Sequence, residues 1–227
     1  MKKLLFAIFA HPDDEAFGPS GTLYMEAQHG TELHLITLTA GQAGTNHDNV
    51  ADLGAVRLRE WRAAGQLIGA QHLHHLGYID GRLSNQDHIA ITDTIMQIVT
   101  NAIDGRNAIE IEFMSMDLNG VTGHIDHIVA GRSACLAMYR LRERGVPITR
   151  IRLACRPADR YTGINTDFVL MEPGRTPNEI TETIDARQHI EQVYAIMRAH
   201  HTQRNDGESH IAALGDSVAI NHFIVLK

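Results

Sequence analysis

The stretch that most constrains this chain is the apolar run Leu4 to Ala10, followed at once by His11, Pro12, Asp13, Asp14 and Glu15. Seven apolar residues in a row suit a strand buried on both faces of a sheet. Pro12 cannot extend a hydrogen-bonded ladder, so the strand ends there and the chain turns. In open α/β sheets the carboxyl edge is where ligands sit. One imidazole and three carboxylates are delivered to that edge. A single carboxylate would suffice to cap the next helix. Three of them beside a histidine repel one another unless a cation holds them, which puts a metal ahead of capping.

Downstream, apolar periodicity alternates between strand and helix. Helices are expected over Phe17–His29, Asp52–Ile68, His88–Ile103 and His124–Arg144, and strands over Glu32–Thr39, His72–Leu76, Ile109–Met114 and Ile148–Cys155. This alternation means βαβ units and right-handed crossovers. Beyond Arg156 the rhythm changes. Strands are expected at Asp167–Met171, Ile180–Ile184 and Val218–Leu226, with an amphipathic helix over Arg187–His201 and a polar segment over Thr202–Asp216. No linker or repeat divides the chain. The expectation is one Rossmann-like, three-layer α/β domain over residues 1–227, with a mainly parallel sheet and an irregular C-terminal third.

The net charge of -7, without a basic run, argues against nucleic acid or an anionic membrane as partner. No stretch reaches transmembrane length. Lys2 and Lys3 ahead of an apolar run mimic an export signal, but acids follow immediately and cleavage after Ala10 would discard the core strand. A cytoplasmic protein is expected, with Cys135 and Cys155 as reduced residues in apolar surroundings. A homo-oligomer is left open. Fifteen histidines exceed what packing needs and raise the case for a metal. His72, His74 and His75 also invite that reading. Alternation puts His72 and His74 on one strand face and His75 on the other, and ordinary surface or core histidines are the preferred reading.

A second cluster, Gly123-His124-Ile125-Asp126-His127, opens the long helix after the fourth strand. His124 and His127 lie three apart and share a helix face. This loop should open on the same sheet edge as His11. His11, either Asp13 or Asp14, and one of these histidines can then converge, and two nitrogens with a carboxylate make a catalytic zinc set that leaves a position for water. Iron(II) would accept the same donors.

Taken together, the His11–Glu15 and His124–His127 motifs resemble those of the zinc-dependent N-acetylglucosaminyl deacetylases of the LmbE and PIG-L type. Thr39, Gly41 and Gly44, Arg57 with Glu60, Leu76 through Gly81, and Ala199 through Gln203 fit the same pattern more weakly. The resemblance implies His11, Asp14 and His127 as zinc ligands and Asp13 as general base. It implies His124 as a protonated electrophile or acid positioned by Asp126, although Asp126 could equally orient a ligand. It places Arg57 as a substrate grip, a residue that on its own reads equally well as a salt-bridge partner. Asp80 would accept sugar hydroxyls or simply make its turn with Gly81. Departures at Gln42, Thr122, Ile125 and Asn221 remove none of the proposed ligands or the base. The implied activity is removal of an N-acyl group, in the family an acetyl, from a small amino-sugar or glycoside. The rival readings are an amidase of the thiol-conjugate type and a non-catalytic sugar- or nucleotide-binding Rossmann-like module, though no Gly-x-Gly-x-x-Gly follows the first strand.

Overall fold

The apolar run becomes β1 (Lys2–Phe9) in the computed structural model, which describes residues 2–160 and 174–227. No residue from Leu4 to Ala10 is more than 2% exposed. Leu4, Phe6 and Ile8 face one apolar layer, while Leu5, Ala7 and Phe9 face the other, as alternation along a strand requires. β1 pairs in parallel with β2 (Glu32–Thr39) on one side. On the other side it pairs with β4 (Ile109–Met116). β3 (His72–Tyr78) lies outside β2, and β5 (Ile148–Cys155) lies beside β4, both parallel. β7 (Ile220–Leu226) and β6 (Glu182–Asp185) close the sheet in antiparallel pairings, so the order is β3-β2-β1-β4-β5-β7-β6.

The helices are α1 (Asp14–Phe17), α2 (Ser20–Gln28), α3 (Leu53–Ile68), α4 (His88–Ile103), α5 (Gly120–Gly123), α6 (Ile125–Glu143), α7 (Ile190–Arg198) and α8 (Arg204–Leu214). α4 and α6 cover one sheet face, through Ile91, Ile95, Ala130, Ala134 and Met138. α2, α3 and α7 cover the other, through Leu23, Trp61, Ala64 and Ile196. The result is the expected three-layer α/β architecture with a mainly parallel sheet. Chain order runs outward from β1 in one direction and resumes at β4 on the other side. The loops after β1 and β4 therefore part at a switch point, where such folds form their ligand crevice.

Three expectations need correction, and one strand, Asp167–Met171, lies outside the described residues. The helix expected over Phe17–His29 is split into α1 and α2 at Gly18 and Pro19. Pro19 has no N–H for a continuous ladder, and a Cβ at Gly18 would stand 2.7 Å from the Asp14 carbonyl oxygen. The polar segment Thr202–Asp216 contains α8, which is mostly exposed and so carries no strong apolar stripe. It is tied down by Arg204 on Asp48 at 2.6 Å and by Gly207 packed against Phe17. The strand expected over Ile180–Ile184 is Glu182–Asp185. Among the described residues no helix is long and apolar enough to cross a membrane.

Glu26, on α2, stitches that helix to the sheet. It accepts from Lys3 at 2.9 Å, Arg152 at 2.6 Å and the Thr31 hydroxyl at 2.8 Å. Burial pushes its carboxyl up, but hydrogen bonds from Arg152, Lys3 and Thr31 more than offset this and hold it at about 2. Because the folded value lies below the ordinary 4.5, this stability is present above pH 4.5 and is lost as pH falls toward 2. Glu26→Gln should therefore cost about 2–3 kcal/mol at pH 7 in chemical denaturation. The variant and wild type should converge at the acid end of that window, and a constant gap across it would contradict the ionic role.

Candidate metal centre

The turn that follows β1 is held in a costly conformation. Asp13 has φ 115° and ψ -24°, a left-handed backbone that costs a non-glycine residue about 1–3 kcal/mol. Asp14 stabilises the turn from inside, since its Oδ2 accepts the backbone N–H of Ala10 at 3.0 Å and of His11 at 2.9 Å. Its Oδ1 is left facing His127 Nε2 at 3.2 Å. Burial pushes the Asp14 carboxyl up, but the His127 and His11 imidazoles outweigh it and hold it well below the usual range.

The loop after β4 supplies the second half. His124 caps α6, with its Nδ1 accepting the Asp126 backbone N–H at 3.1 Å. One turn on, His127 Nδ1 lies 2.9 Å from the Gly120 carbonyl oxygen. A carbonyl only accepts, so the hydrogen is on Nδ1 and Nε2 presents a lone pair to the centre. Gly120 at φ 78°, with Val121 at φ 63° beside it, turns that carbonyl toward the ring.

The two loops meet. His11 Nδ1 lies 3.1 Å from His127 Nε2 and 3.7 Å from Asp14 Oδ2. Three ligands at about 2.0–2.1 Å from a tetrahedral ion stand about 3.3–3.4 Å apart. The His11–His127 nitrogens at 3.1 Å and His127 with Asp14 Oδ1 at 3.2 Å come close to this, while the 3.7 Å separation is to Oδ2, the oxygen that accepts the two backbone N–H groups. The tautomers fit as well. His11 Nε2 faces Asp80 Oδ1 at 3.0 Å and Asp126 Oδ2 at 3.3 Å, which places its hydrogen there and its lone pair at Nδ1. Two imidazole lone pairs 3.1 Å apart repel unless a proton or a metal lies between them. The charge balance favours a cation too. Burial opposes charging His11, yet Asp126, Asp80 and Asp14 together raise it to about 10. His11, Asp80 and Asp126 also group closely enough to hold an ion. Both Asp126 oxygens already accept backbone N–H groups, from Gly81 at 2.7 Å and Leu83 at 3.2 Å, and Asp80 Oδ2 accepts from Ala43 at 2.9 Å. These two carboxylates are therefore better placed to orient His11 than to bind metal.

His124 stands beside the centre, its ring 4.8 Å from that of His11 and 5.0 Å from that of His127. Burial and the neighbouring imidazoles push it below the ordinary histidine range. Asp126 was expected to position His124 or to orient a ligand, and its backbone N–H holds the His124 ring while its carboxylate faces His11.

Arg57 and Asp80 were candidate substrate contacts, and both have their charged ends committed within the protein. Arg57, 3% exposed, donates to Asp13 Oδ2 at 2.7 Å, to the Gly41 carbonyl at 2.8 Å and to the Pro12 carbonyl. A Cβ at Gly41 or Gly44 would collide with its guanidinium, which is why the loop after β2 carries glycines there. Burial pushes Asp13 up to about 6, against the pull of Arg57 and with Asp14 adding to the rise. Sequence reasoning missed the pair that backs this turn. Glu15 and His200, both fully buried, meet at 2.7 Å, and Glu15 Oε2 accepts the Asp13 backbone N–H at 3.2 Å. They are 185 positions apart in the chain, and no local pattern announces the contact. A cavity of about 240 Å³ opens beside Asp14 and His127, walled by Phe17, Met116, Val121, Thr122 and Val218.

A family model described as PIG-L, GlcNAc-PI de-N-acetylase, matches residues 6–138. The chain is 30% identical to 1D-myo-inositol 2-acetamido-2-deoxy-alpha-D-glucopyranoside deacetylase from Acidothermus cellulolyticus, over 89% of this chain and 80% of the relative. Its fold is similar to that of N,N'-diacetylchitobiose deacetylase from Pyrococcus horikoshii, with TM-score 0.70, 18% identity, and coverage of 99% and 84% of the two chains. A 4-carboxy-2-hydroxymuconate hydratase from Pseudomonas putida KT2440 shares the fold equally well, with TM-score 0.70, 15% identity, and coverage of 100% and 97%. The fold alone therefore does not select the reaction.

If Asp80 orients His11, then Asp80→Asn, which turns an amide toward Nε2, should weaken metal binding by about 10–100-fold without unfolding the protein. Chelator competition measures this, and an affinity equal to wild type would remove the orienting role.

Proposed function

The chain belongs to the PIG-L, GlcNAc-PI de-N-acetylase family, and from that premise we propose that it is a zinc-dependent hydrolase that removes the N-acetyl group from a small molecule bearing N-acetylglucosamine. The observation that carries this reading is the meeting of His11 Nδ1, His127 Nε2 and the Asp14 carboxylate within 3.1–3.7 Å, with Asp13 next to them in the chain. The named activity of the Acidothermus cellulolyticus relative supports the amino-sugar substrate. Two imidazole nitrogens and one carboxylate favour zinc, with iron(II) as the ion that would share them. A cytoplasmic setting agrees with the two free cysteines.

When bound, zinc polarises the acetamide carbonyl and makes the attacking water more acidic. The chain's own residues do the rest. Arg57 holds Asp13 Oδ2, leaving Oδ1 to take the proton from the attacking water. His124, with Nδ1 occupied by the Asp126 N–H, carries its hydrogen on Nε2 and donates it toward the oxyanion. Asp13 then passes its proton to the departing nitrogen as the C–N bond breaks, and acetic acid and the free amine leave, the acid giving its proton to the amine or to solvent on release. Asp80 and Asp126 keep His11 in the tautomer that serves the metal.

Asp13→Asn keeps the Arg57 contact and tolerates the left-handed backbone, yet it cannot accept the proton. With full metal content it should lose about 100- to 10,000-fold in kcat, read as acetate released from N-acetylglucosaminyl-inositol or diacetylchitobiose. A metal-replete Asp13→Asn enzyme at the wild-type rate would remove Asp13 as the base. Wild-type enzyme, metal-replete and silent on both substrates, would remove the deacetylase reading.

A further inference from the structure

The parallel strands begin at the sheet edge opposite the catalytic centre, and there a second set of metal-type donors comes together. Glu32 and His34 are two apart on β2 and project from one face. His72 pairs with His34 across the β2–β3 ladder and stands on the same face. Glu32 Oε1 lies 3.4 Å from His34 Nε2 and 3.3 Å from His72 Nε2. Donor atoms of all three residues lie within 4.8 Å of one another.

The decisive atom is His34 Nε2. His34 is 97% buried (3% exposed) and its ring is stacked on Phe6 with centroids 4.4 Å apart. Its Nδ1 meets His74 Nε2 at 3.2 Å, while Nε2 has no hydrogen-bond partner. An unsatisfied buried polar atom costs about 1–3 kcal/mol. The ring has two tautomers: with its hydrogen on Nε2 it points that N–H at Glu32 Oε1 over a long 3.4 Å, and with its hydrogen on Nδ1, donated to His74, it turns a lone pair to the Glu32 carboxylate, the form in which a cation between them would satisfy both.

We propose that Glu32, His34 and His72 form a second divalent-cation site, with water completing a tetrahedron, that clips β2 to β3 apart from the catalytic centre. Two imidazoles and one carboxylate suit zinc better than calcium or magnesium, which take oxygen ligands. His74 serves as the partner that fixes the His34 tautomer. Occupation requires the His72 ring, 43% exposed, to turn out of its stack on His34. It also requires Glu32 to share its charge with Arg106 at 2.9 Å and Lys2 at 2.5 Å. Those two cations make this the weaker of the two sites. Counted along β2 at about 3.3 Å per residue, it lies roughly 20 Å from the catalytic loops.

Isothermal titration of the chain with zinc chloride, after the first equivalent has bound, tests the site. Wild type should take up one further equivalent per chain. His72→Ala, at an exposed position that the fold does not need, should weaken that equivalent at least ~10-fold and leave the first unchanged. His75→Ala, on the opposite strand face, should behave as wild type. No further equivalent in wild type would overturn the proposal. So would His72→Ala binding that equivalent as tightly as wild type, because the zinc would then sit on other histidines.

Discussion

The structure around the β1–β4 crevice depends on neutralising buried negative charge. Asp13, Asp14 and Glu15 follow His11 in the chain, Asp80 and Asp126 meet it in space, and each must find a positive or hydrogen-bonding partner away from water. Asp13 has Arg57, and Glu15 has His200. Asp126 is satisfied by two backbone N–H groups and His11, and Asp80 by Ala43 N–H and His11. Asp14 has two backbone donors on one oxygen and, on the other, an imidazole that presents a lone pair. That last pairing is the least balanced of the five, and it is where the proposed cation would sit.

The sheet topology makes the convergence possible. β1 and β4 are neighbours although about a hundred residues separate them, and their loops leave the same edge side by side. The α3 arginine spans the gap between the first of these loops and the glycine loop after β2, so three segments are locked by one guanidinium. Strain at Asp13 is sustained by that lock and by Glu15, whose carboxylate accepts the Asp13 backbone N–H.

Much of this was legible from the residues. The apolar run ending in His11-Pro12-Asp13 announced both a buried strand and a cluster of metal-type donors, because periodicity and local charge density are properties of adjacent positions. The second cluster was legible for the same reason. Contacts made across the fold were not. Asp80 reads as a turn residue beside Gly81, and only the meeting of three loops turns it toward His11. Glu15 reads as one more acid until His200 arrives from the C-terminal region. The break at Gly18 and Pro19 was written in the residues but overshadowed by the helical pattern around it, and α8 escaped because an exposed polar helix has no apolar stripe. The alternation of His72 and His74 could be seen in the chain, whereas the pairing of His72 with His34 depends on strand register.

Anomalous diffraction at the zinc absorption edge, from crystals grown with zinc, tests the central claim most directly. The account predicts a peak about 2.0–2.2 Å from His11 Nδ1, His127 Nε2 and an Asp14 oxygen. Zinc-replete crystals with no density between those three atoms would contradict it.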